Sequence, residues 1–220
     1  MIMLDWQAID TVLLDMDGTL LDLHFDSHFW LELLPERYAQ RHGLEVEHAR
    51  DWLHQRIRRE QGSLSWYCLD YWSEQLDLPI ARLKREIIDR IGFRPGAEAF
   101  LQALRQSGRR CVITTNAHRD SVALKVEVTG IDRLVDSLIC SHDFGYPKEA
   151  QPFWQALQVV EPFNPARTLL VDDSLAVLAS ARRYGIEHLL SITQPDLQQP
   201  PRQITGFAAT NDFSEVIATL

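Results

Sequence analysis

Thr11-Val12-Leu13-Leu14-Asp15-Met16-Asp17-Gly18-Thr19-Leu20 reads as a short strand running straight into two acids and a glycine. Four residues without polar alternation suit a strand covered on both faces, as in a parallel sheet. The same device recurs downstream. Cys111-Val112-Ile113-Thr114 ends at Thr115-Asn116, and Thr168-Leu169-Leu170-Val171 ends at Asp172-Asp173. Weaker strands are expected at Ser137–Cys140 and His188–Ser191. Amphipathic helices are expected between them over 97–107, 121–129, 152–159 and 175–184, with Gly108, Gly130 and Gly185 just past three of these stretches, where helices stop. Strand and helix in alternation predict an α/β fold, a Rossmann-like parallel sheet core.

Residues 22–92 break the alternation. Helical spacing runs over 28–42, 46–59, 65–76 and 80–91, punctuated by Gly43, Gly62 and Pro79. Successive helices after the first strand predict an inserted helical-bundle cap at 22–92, on a discontinuous core at 1–21 and 93–220. The Pro- and Gln-rich stretch 193–211 is expected to be irregular.

The composition, 45% hydrophobic and 24% charged over 220 residues, suits a soluble globular protein. No apolar run reaches the roughly 18 residues of a membrane span, and no basic segment leads into an apolar N-terminal stretch, so neither an anchor nor a signal peptide is expected. Cys68, Cys111 and Cys140 are scattered, which predicts reduced thiols in a cytoplasmic protein. The net charge of −9 argues against a polymeric nucleic acid partner. A small phosphate monoester stays open, provided one pocket reverses the charge locally.

Ligands bind at the carboxyl ends of strands in an open parallel sheet. Those ends carry Asp15 and Asp17, Thr115 and Asn116, Asp172 and Asp173, with Lys148 on a following loop. Acids brought so close repel one another unless a cation sits among them, and hard oxygen donors suit Mg2+.

Asp15-Met16-Asp17-Gly18-Thr19-Leu20, Thr115, Lys148 and Asp172-Asp173, in that order and context, resemble the motifs of the haloacid dehalogenase-like phosphatases. The resemblance spans the chain, because the helical insert sits where that family places its cap. It implies that Asp15 is the nucleophile and passes through a phosphoaspartate, and that Asp17 protonates the leaving oxygen and then activates water. It further implies that Gly18 turns the chain at the phosphate, and that Thr115, Asn116 and Lys148 bind the phosphoryl group. Mg2+ would be held by the Asp15 carboxylate, the Asp17 carbonyl, Asp173 directly and Asp172 through water. Longer strings, Trp66-Tyr67-Cys68-Leu69-Asp70-Tyr71-Trp72-Ser73-Glu74-Gln75-Leu76, Thr115-Asn116-Ala117-His118 and Phe144-Gly145-Tyr146-Pro147-Lys148-Glu149, resemble the bacterial 5′-nucleotidases of this superfamily. They imply a purine nucleoside monophosphate, such as GMP or IMP, as substrate.

Other readings compete. A sugar-phosphate or phosphoglycolate hydrolase, or a phosphomutase, would keep the same motifs. A dehalogenase needs neither Asp17 nor the late Asp pair, and a silent binding module would be expected to have lost a motif. Taken singly, Asp172-Asp173 could merely cap a helix, and Lys148 could be a surface lysine. Trp66, Leu69, Trp72 and Leu76 are expected on one buried helical stripe, with Tyr67 and Tyr71 opposite. Arg56, Arg58 and Arg59 read as a solvated face, and His118 as an exposed helix start.

Overall fold

The computed structural model describes residues 4–220. Strands β1 (Thr11–Leu14), β2 (Arg110–Thr115), β3 (Ser137–Cys140), β4 (Thr168–Asp172), β5 (His188–Ile192) and β6 (Ala208–Thr210) form one sheet. The order is β3-β2-β1-β4-β5-β6, and every neighbouring pair is parallel. The strand order reverses at β1 and β4, the point where such sheets open a crevice at their carboxyl ends. β1 is fully buried because side chains on both its faces meet helices. Val12 and Leu14 pack in a cluster with Phe100 and Leu104, whereas Leu13 packs with Phe153, Trp154 and Leu178. Each fully buried side chain of this size contributes about 1.5–3 kcal/mol.

Helices α1 (His24–His28), α2 (Leu34–His42), α3 (Val46–Arg58), α4 (Leu64–Tyr67), α5 (Leu69–Leu76) and α6 (Ile80–Lys84) all lie between β1 and β2. They carry an apolar cluster of their own, including Phe25, Phe29, Leu53 and Trp72, which takes in Leu124 from the core. The two chain segments that join this helical part to the sheet are tied together. Asp22 N–H donates to the Gly92 carbonyl at 3.0 Å and Arg94 N–H to that of Leu20 at 2.9 Å. The remaining helices are α7 (Ala97–Gln106), α8 (Arg119–Thr129), α9 (Gln151–Val160), α10 (Leu175–Tyr184) and α11 (Phe213–Ile217). No helix among the described residues is long and apolar enough to cross a membrane.

Several expectations are corrected. Residues 208–210 form the sixth strand inside the stretch expected to be irregular. The helix expected over 65–76 is broken at Cys68, whose extended backbone ends α4 and whose sulfur caps α5 by accepting from Tyr71 N–H. Trp66 therefore leaves the buried stripe that Leu69, Trp72 and Leu76 do form. Residues 85–90 continue α6 as a 3₁₀ turn, and 29–33 join α1 to α2 as a π-helical turn. Arg56 is not simply solvated: it donates to Glu60, Tyr71 and Gln75.

Candidate functional site

Each polar strand end points into one cavity of 330 Å³. Asp15 follows β1 directly, and its N–H donates to the Val171 carbonyl at 2.9 Å, so the end of β1 is pinned beside the acids of β4. The chain then folds back on itself, with Leu20 and Leu21 N–H both donating to the Met16 carbonyl. Gly18 takes φ +81° within this turn, and a Cβ there would lie 2.9 Å from Pro195 and 3.1 Å from Asp173. Any side chain would push the turn off the acids. Thr115 ends β2 and accepts from Ala117 N–H at 3.0 Å, and Asn116 Oδ1 accepts from Lys148 N–H at 2.9 Å. Asp172 closes β4 and accepts from Ser174 N–H, while Ser174 caps α10. The helix-cap reading of Asp172 is thus corrected: Ser174 is the cap, and Asp172 fastens the turn before it.

Lys148 is 1% exposed and donates to Asp15 at 2.5 Å, to Asp172 at 2.7 Å and to the Thr114 carbonyl at 2.9 Å. Burial works against its charge, but Asp15 and Asp172 outweigh burial and hold the ammonium protonated. Burial raises Asp15 to about 6, Lys148 opposes the shift and Asp172 adds to it. Asp173 is pushed well up, by burial first and then by repulsion from Asp15 and Asp172. Carboxylate oxygens of Asp15, Asp172 and Asp173 lie within 4.8 Å of one another. That donor set is all oxygen and hard, as Mg2+ requires.

A second relay, which no sequence motif announces, leads away from Asp17. Its carboxylate is 2.7 Å from Lys125 Nζ of α8, which also lies 2.7 Å from Asp26 of α1. Asp26 in turn pairs with Lys84 of α6. Lys84 and Lys125 are each 2% exposed, and the Lys84 ammonium sits 4.8 Å from the Phe25 ring centroid and 4.9 Å from that of Phe29. Burial raises Asp17 to about 6, Lys125 opposes it and Asp26 adds to it. Asp26 goes the other way: burial penalises it, but Lys125 and Lys84 together hold it far below the ordinary carboxylate range. The signal for both lysines lay in the pattern. Ile80, Leu83, Lys84 and Ile87 form one stripe at helical spacing, and Lys125 follows Ser121 and Val122 by four and three residues. A lysine on a buried stripe needs a partner.

The cavity therefore carries the carboxylates of Asp15, Asp17, Asp26, Asp172 and Asp173 against the ammoniums of Lys84, Lys125 and Lys148. The excess of two negative charges equals the charge of one divalent cation. Trp30, Trp66 and Tyr67 from the helical part also line it. Tyr67 donates to Glu149 at 2.7 Å, and Asn116 Nδ2 donates to the other Glu149 oxygen at 2.9 Å, so one carboxylate fastens the helical part to the core. His118 is 12% exposed, caps α8 and lines the cavity instead of facing solvent.

Residues 9–185 match the sequence profile of the haloacid dehalogenase-like hydrolases. The chain is 43% identical over 215 residues to GMP/IMP nucleotidase YrfG of Escherichia coli (strain K12), covering 98% of this chain and 97% of that protein. Among solved structures, a HAD phosphatase from Thermococcus onnurineus superposes with a TM-score of 0.79 at 20% identity, over 94% of this chain and 96% of that one. The HAD-hydrolase YfnB from Bacillus subtilis, described as bound to magnesium and as revealing interdomain movement, superposes with a TM-score of 0.68 at 16% identity, over 96% and 97% of the two chains.

Proposed function

The chain belongs to the haloacid dehalogenase-like hydrolase family, and from that membership we propose that it is a Mg2+-dependent 5′-nucleotidase that releases phosphate from purine nucleoside monophosphates such as GMP and IMP. The observation that carries the proposal is the single cavity joining the Asp15 cluster to the aromatic wall of Trp30, Trp66 and Tyr67. Such a space takes a phosphate at one end and a stacked base at the other. The near full-length similarity to a protein named for GMP and IMP supports the substrate class.

In this reading Asp15 attacks phosphorus, forming a phosphoaspartate as the bond to the nucleoside oxygen breaks. Asp17 gives its proton to that oxygen. Water then attacks the phosphoaspartate, Asp17 takes up the water's proton, phosphate departs and the Asp15 carboxylate is restored. A carboxyl held near 6 can both give and take a proton close to neutral pH. Lys148 holds Asp15 in line and offsets charge on the phosphoryl oxygens, with Thr115 and Asn116 binding beside it. The Asp15 and Asp173 carboxylates, the Asp17 carbonyl and, through water, Asp172 would hold Mg2+, whose charge would offset that of the acids. Residues 22–92 act as the cap, folded as a unit about its own apolar cluster and closed on the core 1–21 and 93–220 through Tyr67 and Lys125. A cytoplasmic location agrees with Cys68, Cys111 and Cys140, which are all free thiols.

The test is a panel of phosphate monoesters with purified protein and Mg2+. GMP and IMP are expected to give the highest kcat/KM, sugar phosphates and phosphoglycolate values at least tenfold lower, and Asp15→Asn no release above background. A sugar phosphate outrunning both nucleotides would overturn the substrate assignment, and full activity in Asp15→Asn would overturn the mechanism.

A further inference from the structure

Cys68, His118 and His142 are distant in sequence and are brought together by the fold. Cys68 sits at the break between α4 and α5, His118 caps α8, and His142 lies in the 3₁₀ turn that follows β3. One ligand atom from each lies within 4.8 Å of the other two. The two imidazoles meet edge to face with centroids 5.1 Å apart. His142 Nε2 is buried and has no hydrogen-bond partner, an arrangement that calls for an explanation. Asp70, two residues beyond Cys68, places a carboxylate oxygen 3.5 Å from His118 Nε2. None of this is used by the phosphate chemistry.

We propose that Cys68, His118 and His142, with Asp70 as fourth donor, form a second metal site, for Zn2+ or a similar transition metal, that clasps the cap to the core at the rim of the cavity. A thiolate and two imidazoles are the donors Zn2+ and Co2+ prefer, whereas Mg2+ has little use for them. In a tetrahedral site with zinc–sulfur and zinc–nitrogen bonds of about 2.3 and 2.05 Å, the ligand atoms stand roughly 3.4–3.6 Å apart. Side-chain movements of about one ångström bring the three atoms to that spacing. Two ligands belong to the cap side and two to the core, so a bound ion holds the parts together. His118 and the neighbours of Cys68, Trp66 and Tyr67, line the cavity, so an ion here fixes the walls through which a substrate enters. The ion is therefore inhibitory; this consequence, unlike the site itself, rests on the phosphohydrolase reading.

The experiment titrates Co2+ into the full chain in excess Mg2+ and follows absorption. The expected result is one equivalent of Co2+ giving a thiolate-to-cobalt charge-transfer band in the near ultraviolet with intense tetrahedral bands in the visible. Zn2+ abolishes these bands and further Mg2+ leaves them unchanged. Cys68→Ser is expected to remove the charge-transfer band, and His142→Gln to weaken Co2+ binding by 10-fold or more, each with a native circular dichroism spectrum. A featureless titration, or a band that survives in Cys68→Ser, overturns the site. In parallel, Zn2+ is expected to inhibit phosphate release from the native protein at concentrations at least 10-fold below those needed for Cys68→Ser. Equal inhibition of the two overturns the clasp. Should neither protein release phosphate, the phosphohydrolase reading fails, and the cobalt spectrum still decides the site in one direction or the other.

Discussion

Asp26→Asn removes the carboxylate that two buried ammoniums share. Lys125 keeps Asp17 at 2.7 Å, but Asp26 is the one side-chain acceptor Lys84 has among the described residues, and Lys84 is 2% exposed. Breaking a buried pair from one side costs about 3–5 kcal/mol, because the partner is left charged and unsolvated. An independent ceiling comes from the proton. A lysine of ordinary pKa near 10.4 can escape by deprotonating on folding, which at pH 7 costs about 4.6 kcal/mol at 1.36 kcal/mol per pH unit. The two routes agree, so the expected loss at pH 7 is about 3–5 kcal/mol. At roughly 2–4 °C per kcal/mol for a chain of this size, Tm falls by about 6–20 °C. The pH dependence carries the sharper prediction. Burial already lowers the Lys84 pKa, with Asp26 opposing it; without Asp26 the folded value drops further below the unfolded one. A lysine depressed in the folded state is penalised while the unfolded chain still holds the proton, so the penalty shrinks as pH rises. The ceiling falls to about 2 kcal/mol at pH 9. Thermal unfolding of both proteins by circular dichroism at pH 7, 8 and 9 measures the gap, with other titrations cancelling in the difference. Asp26→Asn/Lys84→Met should recover most of the loss, since removing both partners of a buried pair is close to neutral. A gap below 3 °C at pH 7, or one that widens with pH, refutes the reasoning.

Lys148→Met strips the cation that holds Asp15 and Asp172, and kcat for phosphate release should fall by about 10²–10³-fold while circular dichroism in Mg2+ stays native; a loss under tenfold in steady-state assays would contradict this. Asp15 and Asp17 are each raised to about 6 by burial, so their contribution to stability is full below the ordinary value near 4 and is lost as pH rises through 6. Mg2+ offsets that loss, and its Tm increment should grow between pH 5 and pH 7.5; a constant or shrinking increment in melts with and without Mg2+ would count against cation binding among these acids. Tyr67→Phe removes the hydrogen bond to Glu149 that spans cap and core. Steady-state kinetics on GMP should show KM rising about 10–150-fold, in line with about 1.5–3 kcal/mol for one hydrogen bond to a charged group.

The sheet was legible because its strands are buried on both faces and so read as apolar runs with polar ends; β6 was not, since Ala208-Ala209-Thr210 is too short and too bland to stand out from the proline-rich stretch before it. Helix existence in the insert was legible from spacing, but the break at Cys68 was not. The apolar period runs smoothly through Trp66, Leu69 and Trp72, but Trp66 and Tyr67 line the cavity whereas Trp72 packs in the apolar cluster of the insert itself. Asp15, Asp17, Thr115, Asn116, Lys148, Asp172 and Asp173 all stand out in the sequence and line one cavity, because a strand end is a position that sequence fixes locally. Lys84 and Lys125 show in the sequence only as lysines on apolar stripes, and which carboxylates they meet, like the contacts of Asp26 and Glu149, depends on partners on other elements.

These long-range partners bear on the condition set by the overall charge. A chain of net charge −9 can hold a phosphate ester only where cations are concentrated, and Lys148 alone faces too many acids to supply the reversal. Lys84 and Lys125 cut the formal excess to two negative charges, and a divalent cation would bring it to zero. The positions of these lysines link the helical part to the sheet. Lys125 on the core is satisfied half by Asp17 and half by Asp26 of the cap, and Lys84 of the cap is satisfied through Asp26 alone. Of these pairs only Lys125–Asp26 crosses between the two parts, and each of its members also has a partner on its own side, Lys84 for Asp26 and Asp17 for Lys125. That one shared pair ties the helical part to the sheet beside Asp17, and Trp30, Trp66 and Tyr67 of the helical part line the same cavity.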